Sequence, residues 1–501
     1  MKDQTRYEST EMRRVLFISY SFPPSTEMGA YTCAQIARYL PLYGWEPVVL
    51  TVKEKYVNDL YLKDNNSDRV SDSDLVIRTH KLPHPSDIYR RFKSTIEDLR
   101  IADCGLRTAD LSSPRILLLL RRLLRNVVET QNFAPLPPAI RNPQFAIRNP
   151  KILDLRGLLL SLSEIPDKYN GWLVPAVVAG LRAIKQTRAR AIYSSAPYFT
   201  SHLAGYSLAL LTGLPWVAHF RDPWVTGVIE EARQENTWFK IIRALERMTI
   251  SRADAVVCVT EEHAALLRAA YDQAPASKFA VVMNGFDGLE WQEVIESIPP
   301  DATGEGYAAD APRKFRITYA GDLYMKRDPA PLFRALRTLI DGGEIGRDEV
   351  SVELIGSCES SNGRGMADII SEAGIEGCVE MRGRLSHSET LRRLLQSDLL
   401  LLLSEKQLIE IPGKTFEYLK TRRPILALTC EGAVSTLLRR TGGAWVVSPD
   451  DQPGVINAVR ECYRLWKRGL PGPAPDPLIV ESFDRRRSTA RIAELLNRLI
   501  H

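Results

Sequence analysis

Across 501 residues there is no apolar run of about 18, the length a helix needs to cross a bilayer, so no membrane span is expected. The first ten residues are polar and carry both charge signs, so no secretory signal peptide is expected. Cysteine is sparse: Cys33, Cys104, Cys258, Cys358, Cys378, Cys430 and Cys462 form no C-x-x-C pair and no group with metal-ligand spacing. That pattern argues against a disulfide framework and suits reduced thiols in the cytosol. No carboxylate pair with metal spacing stands out. An excess of one charge sign is also missing. A net charge of +5 is mild and argues against nucleic acid as the main partner.

What is present is the composition of a globular protein, 45% hydrophobic and 25% charged, in a chain too long for one core. No repeat is visible beyond short apolar strands alternating with helices. That alternation predicts an α/β fold with a parallel, doubly wound sheet, formed twice.

The pattern is sharpest at Ile411-Pro412-Gly413-Lys414-Thr415-Phe416-Glu417-Tyr418-Leu419, followed by Pro424-Ile425-Leu426-Ala427-Leu428. The apolar run at 399–403 reads as a buried strand, and Pro412 suits the first position of a helix. The helix should run to about Thr421, because Pro424 disfavours helical geometry before it. Its free N–H groups and dipole make an anion site, most naturally for phosphate. Lys414 and Glu417 are three apart and share one face. Lys414 would stand beside the anion, and Glu417, one turn deeper, would accept two adjacent hydroxyls such as a ribose diol. The plainer alternative is an amphipathic helix with a solvated Lys and Glu.

The I-P-G-K-x-F-E-Y-L stretch followed by R-P-I-L-A resembles the donor-site helix of family-4 glycosyltransferases, which have the GT-B fold. The resemblance implies two Rossmann-like doubly wound domains facing across a cleft. It also implies retention at the anomeric carbon without a bound metal or other cofactor, and a place in bacterial surface-polysaccharide synthesis. Glu417 would be the second Glu of that family's E-x7-E motif. The first would fall at Ile409, and this sequence has Glu410 one place later.

In the first half, residues 15–20 form a buried strand, and Gly29 opens a helix to about Tyr39 after a loop at 21–28. S-Y-S-F-P-P…G-A-Y resembles the family's opening loop. Only Gly29 is left there to let backbone approach a sugar or phosphate. An ordinary strand-to-helix turn is the other reading. Residues 85–170 lack a clear pattern. Within them, 116–125 reads as an apolar helix studded with arginine, and between residues 100 and 190 fifteen Lys/Arg face six Asp/Glu. Such a helix suits either an anionic membrane surface or a buried position with arginines at its edge. Further on, Pro215-Trp216-Val217-Ala218 reads as a strand ending at His219-Phe220-Arg221-Asp222. His219, Arg221 and Asp222 resemble the family's stretch facing the acceptor and the anomeric carbon, and are candidate catalytic residues. Arg221–Asp222 as a loop-fixing ion pair and His219 as a core histidine are the alternatives. Asn284-Gly285-Phe286-Asp287 resembles the turn that ends the family's first domain.

The expected organisation is residues 1–296 as the acceptor-side domain, 297–313 as linker, 314–476 as the nucleotide-sugar domain, and 477–501 as a terminal helix that could pack back on the first. In the second domain, a strand ends at Gly321 and a loop at 322–328 carries Lys326 and Arg327 before a helix opened by Pro329. The resemblance places Arg327 at a diphosphate-neutralising Lys position, with Asp322 where the family has Arg. Candidate donor-binding residues are therefore Gly29, Gly321, Lys326, Arg327, Lys414 and Glu417. The expected reaction moves a hexosyl or N-acetylhexosaminyl group from a nucleoside-diphosphate sugar to an acceptor, a lipid-linked glycan at the inner face of the membrane being the one expected. A nucleotide-sugar epimerase of the same fold and a non-catalytic assembly subunit are the competing classes.

Overall fold

The computed structural model describes residues 12–57, 75–83, 164–226, 237–298, 313–323, 327–405 and 408–500. The chain divides into two compact units, one of Met1–Lys81 with Trp172–His501 and one of Leu82–Gly171. The elements below belong to the first. The expected arginine-rich helix at 116–125 and the candidate Lys326 lie outside the described residues.

Seven parallel strands form the first sheet: β1 (Arg13–Ile18), β2 (Trp45–Val52), β3 (Leu75–Thr79), β4 (Ala191–Ala196), β5 (Trp216–Phe220), β6 (Ala255–Cys258) and β7 (Phe279–Val281). Their order is β3-β2-β1-β4-β5-β6-β7, so the winding direction reverses between β1 and β4. The unbroken apolar runs are what a parallel sheet covered on both faces requires. Val15, Leu16, Phe17 and Ile18 of β1 are fully buried. β5 reaches two residues further than the sequence suggests, so His219 lies within the strand, paired opposite Ser195, and not in the loop beyond it.

The second sheet repeats the winding with β8 (Phe315–Ala320), β9 (Val350–Ile355), β12 (Val379–Gly383), β13 (Leu399–Ser404), β14 (Ile425–Thr429) and β15 (Ala444–Val447). A two-residue hairpin, β10 (Ser360–Ser361) and β11 (Arg364–Gly365), stands apart. The order β12-β9-β8-β13-β14-β15 puts the reversal between β8 and β13. Ligands of open α/β sheets bind at the carboxyl ends of strands at this reversal. The loops that leave there are those of Gly321 and of the 411–419 stretch. The helix of that stretch begins at Lys414, two residues later than Pro412 suggested, and ends at Thr421. Pro412 stands just outside it, and its carbonyl accepts a bond from Thr415 N at 2.9 Å.

The helix Gly288–Glu296 packs Trp291 and Val294 into the same core as Leu400, Leu402 and Phe416 of the second half. The terminal helix Arg485–Leu499 instead places Ile492, Ala493 and Leu496 in the core beneath β1, with Val15 and Phe17. Each such side chain gains about 1.5–3 kcal/mol from burial, enough to fix both helices. The chain thus crosses between the halves twice, at 284–287 and at 483–485. The two crossings touch: Phe286 bridges Asp484 as parallel backbone, and Arg485 N donates to the Phe286 carbonyl at 3.0 Å. Gly285 makes the approach possible, because a Cβ there would fall 1.8 Å from the Phe483 carbonyl oxygen. Asp287 then caps its helix, accepting from Leu289 N at 3.0 Å and Glu290 N at 3.3 Å. The Asn-Gly-x-Asp turn is therefore a structural joint.

Candidate functional site

Lys414 opens its helix at the reversal of the second sheet. Its Nζ donates to the Ala320 carbonyl at 2.8 Å and lies 3.9 Å from the centre of the Tyr319 ring. No carboxylate stands within ion-pair distance of it among the described residues. Burial and the nearby Arg327 guanidinium pull its pKa well below the usual lysine value. A lysine in this state gains from any anion that enters. Gly321 is what allows it: its φ is +128°, and a Cβ would sit 2.7 Å from the ammonium. Arg327 donates to the Asp322 carbonyl at 3.2 Å, which holds it over the same loop. Asp322, standing where an arginine was expected, accepts from Ser357 N at 2.9 Å and pairs with Arg384 at 2.7 Å. An arginine thus reaches this loop from 384, which the sequence did not signal.

Glu417 lies one turn on and is mostly covered. Its Oε1 meets His387 Nε2 at 2.8 Å, while His387 Nδ1 meets Glu290 Oε1 at 2.8 Å. Glu290 is buried at 2% exposure and also accepts from the Tyr31 hydroxyl. A continuous side-chain chain therefore runs from the helix of Lys414 and Glu417, through His387 and the crossing helix, to the helix Met28–Tyr39 of the first half. Burial alone would lower the pKa of His387, but its two carboxylates more than reverse this, to about 10. It is an imidazolium at neutral pH, clamped between two acids. Burial and Glu290 hold Tyr31 protonated, with its pKa raised far above the usual phenol value. One oxygen of Glu417 is fixed by this clamp and the other remains to accept a hydroxyl. Neither His387 nor Glu290 was singled out from sequence, where the three residues are far apart.

On the first-half side, Gly29 lies in the first turn of its helix against Arg221, and a Cβ would fall 2.8 Å from the guanidinium. Arg221 donates through Nε to Ser195 Oγ at 2.9 Å and through Nη2 to the Pro197 carbonyl at 3.1 Å. The structure shows no Arg221–Asp222 ion pair among the described residues. Asp222 opens to solvent on one side, but the protein around it raises its pKa, and Arg221 opposes the rise. His219 is 2% exposed; its Nδ1 shares a 2.5 Å hydrogen bond with the Tyr193 hydroxyl and its Nε2 has no partner. Burial, then repulsion by Arg221, depress its pKa well below the usual value, so it is neutral. The structure thus brings Gly29 and Arg221 together, leaves Asp222 at the open side, and sets His219 behind them under Tyr193.

Ile409, where the first Glu of the motif was sought, is buried, and its carbonyl accepts from Thr260 Oγ1 at 2.5 Å, joining this loop to the first half. Glu410 is the residue that meets the other charges. Burial first and Asp222 second raise its pKa to about 7, against the pull of Arg327. A carboxylate that senses Asp222 from one half and Arg327 from the other lies where they meet. Its signal in the sequence was an acid one place beyond the expected position. Among the described residues no group of three or more His, Cys, Asp or Glu is placed to hold a metal ion, and no helix is long and apolar enough to cross a membrane.

Comparison with solved structures gives the fold a context. The chain superposes on the N-terminal domain of Candida albicans trehalose-6-phosphate phosphatase with a TM-score of 0.58 at 11% identity, covering 98% of each chain. It matches Anabaena HepE, solved in complex with UDP and glucose, with a TM-score of 0.53 at 13% identity over 97% of this chain and 100% of that one. Sucrose-phosphate synthase from Thermosynechococcus elongatus gives 0.51 at 14% identity over 98% and 95%. These likenesses establish the fold, two Rossmann-like domains of the GT-B type. No curated protein sequence matches the chain. Residues 28–285 match the family model of the glycosyl transferase 4-like domain. That span covers more than half of the sequence and runs from the helix of Gly29 to the joint at Gly285, and the chain belongs to the glycosyl transferase 4-like domain family.

Proposed function

We propose that this protein transfers a sugar from a nucleoside-diphosphate sugar to a hydroxyl acceptor, with the donor on the second-half side and the acceptor on the first. The observation that carries the reading is Lys414. It is an enclosed ammonium without a carboxylate partner among the described residues, at the strand reversal, one helical turn from a half-occupied carboxylate. A diphosphate supplies the missing charge, and Arg327 lies close enough to share it. The free oxygen of Glu417 suits the ribose. In the retaining reaction we favour, the bond from C1 to the diphosphate breaks as the acceptor oxygen bonds to C1 on the same face. The acceptor's proton passes to the departing phosphate oxygen. Lys414 and Arg327 meet the charge that grows on the diphosphate, where such contacts lower the barrier most. Glu410 and Asp222 offer negative charge near the sugar, whose C1 turns cationic. A hexosyl or N-acetylhexosaminyl donor and a lipid-linked glycan of a surface polysaccharide are the substrates we favour. The surplus of basic residues between 100 and 190 supports work at an anionic membrane face.

A thermal-shift panel of nucleoside diphosphates and nucleotide sugars, followed by assay of diphosphate release with sugar transfer, tests this. Stabilisation by one nucleoside diphosphate, lost in Lys414→Ala, is the expected result. A folded protein that binds none of them, or that interconverts two nucleotide sugars without transfer, refutes it.

A further inference from the structure

The donor reading leaves one pair of charges unused. Arg221 follows β5, and Arg485 opens the terminal helix, yet both stand beside the helix Met28–Tyr39. They are 7% and 4% exposed. Neither has a carboxylate within ion-pair distance among the described residues. Arg221 spends two nitrogens on Ser195 and the Pro197 carbonyl. Among the described residues the Arg485 side chain makes only long bonds, to Asn284 Oδ1 at 3.4 Å and Thr32 Oγ1 at 3.3 Å, and its Nε has no acceptor. These neutral partners orient the guanidinium groups without balancing them. Nearby Glu27 is engaged by Ser21 and by the Tyr198 hydroxyl at 3.1 Å. Burial, and the repulsion of Arg221, bring the pKa of Arg485 down to about 10, against the pull of Tyr31, Glu417 and Asp287. Desolvating a guanidinium costs several kcal/mol unless an anion compensates. Gly29 completes the cradle by letting Arg221 lie against the first turn of a helix, itself favourable to anions.

We propose that Arg221 and Arg485 form a receptor for a phosphate monoester carried by the acceptor. Two buried positive charges match a phosphate monoester, which carries about −1.5 to −2 at neutral pH. A carboxylate would leave one guanidinium unbalanced. Paired guanidinium forks also fit phosphate oxygens better than single ammonium groups do. The assignment to the acceptor rests on the donor reading, which places the diphosphate at Lys414.

Inorganic phosphate, titrated by calorimetry into protein saturated with UDP, tests it. Phosphate is expected to bind with UDP in place, and Arg221→Gln or Arg485→Gln should weaken it at least tenfold. Gly29→Ala, which displaces Arg221 without removing it, should do the same, and Arg485→Lys should retain part of the affinity. UDP affinity should change less than twofold in the three arginine variants. Displacement of phosphate by UDP, or equal binding by parent and variants, overturns the proposal. If UDP fails to bind, the nucleoside diphosphate that stabilises the protein in the panel takes its place; if none binds, the donor reading fails by itself, and the phosphate titration on the free protein still decides this one. Glucose 6-phosphate and vesicles bearing a polyprenyl monophosphate then compete against inorganic phosphate. Competition by either supports the receptor and identifies a soluble or lipid-borne source, and competition by neither overturns it.

Discussion

Two sides of one junction are built from opposite kinds of sequence. On the second-half side, Glu410, Lys414 and Glu417 come from one short stretch after β13, and the helix dipole, cation and carboxylate arrive together. On the first-half side, Gly29, Ser195, Arg221 and Arg485 are brought together by the winding of the first sheet and by a terminal helix that returns from the far end of the chain. Each side has a cation without a carboxylate partner among the described residues, and each positions it with a glycine: Gly321 for Lys414 and Gly29 for Arg221. Cationic cradles can therefore arise locally or by topology, and only the local kind shows as a motif.

Removing the local cation should have the largest effect. Lys414→Ala is expected to lower turnover by about 100- to 1,000-fold, the cost of losing one preorganised contact to developing charge, roughly 2.7–4 kcal/mol. Its folding should survive, because the ammonium is held by one carbonyl and a ring face. Gly321→Ala should follow in direction with a smaller loss, since its Cβ pushes the ammonium away and strains a φ of +128°. Single-turnover assays on both, with circular dichroism for folding, decide it; parent-like turnover in Lys414→Ala would remove the diphosphate from this side.

Glu417→Ala should come next and act on binding. Losing a charge-assisted contact to a ribose costs roughly 1.5–3 kcal/mol, so nucleoside diphosphate affinity should drop by about 10- to 100-fold. Calorimetry with the free nucleotide isolates this from chemistry. An unchanged dissociation constant in a folded variant would leave Glu417 with only a structural part in the His387 clamp.

The contrast also explains what could be read in advance. The buried run at 399–403 and the Pro-Gly break after it identified a strand, a loop and a helix start, so these elements of the second half were legible to within two residues. Lys414 and Glu417 were visible because helical spacing puts them on one face. His387, Glu290 and Arg384 carry no local signature: each meets its partner only after the second sheet winds and the crossing helix packs. Trp291 and Val294 give an apolar spacing for the helix Gly288–Glu296, but that spacing does not say which half the helix packs on. His219 was placed at a strand end facing the reaction, whereas the longer β5 buries it under Tyr193. Asp222 as the ion-pair partner of Arg221 failed because Ser195 and the Pro197 carbonyl, both on β4 or just past it, are nearer in space.

Glu410 tests whether the displaced acid works where the motif would have had one. With its pKa raised to about 7, it ionises across neutral pH. If its charge supports a C1 turning cationic, kcat should rise as pH climbs through about 7 by several-fold. Glu410→Gln should be slower and flat over the same range. A variant that keeps the parent's pH profile would assign that titration to another group, Asp222 being the first to test.

The smallest expected effect sharpens the link between the two sides. His387 is held up to about 10 by Glu417 and Glu290, above its ordinary value near 6.5. A raised imidazole stabilises the folded state fully below pH 6.5 and loses that contribution as pH climbs through its folded value. Between pH 7 and pH 9.5 the parent should therefore lose this contribution, read as a melting temperature that falls relative to that of His387→Asn. Because the side chain is 29% exposed, the contribution is discounted for solvent screening to about 1–2 kcal/mol. Lys414, whose lowered pKa adds stability as pH rises, titrates alike in parent and variant, so the part of the slope that differs between them belongs to His387. His387→Asn should flatten it and weaken nucleotide binding by only a few-fold, since Glu417 keeps its place on the helix but loses the contact that fixes its rotamer. Melting curves of both proteins between pH 6 and 10 give the answer, and a variant with the parent's full slope would show that the clamp holds no charge.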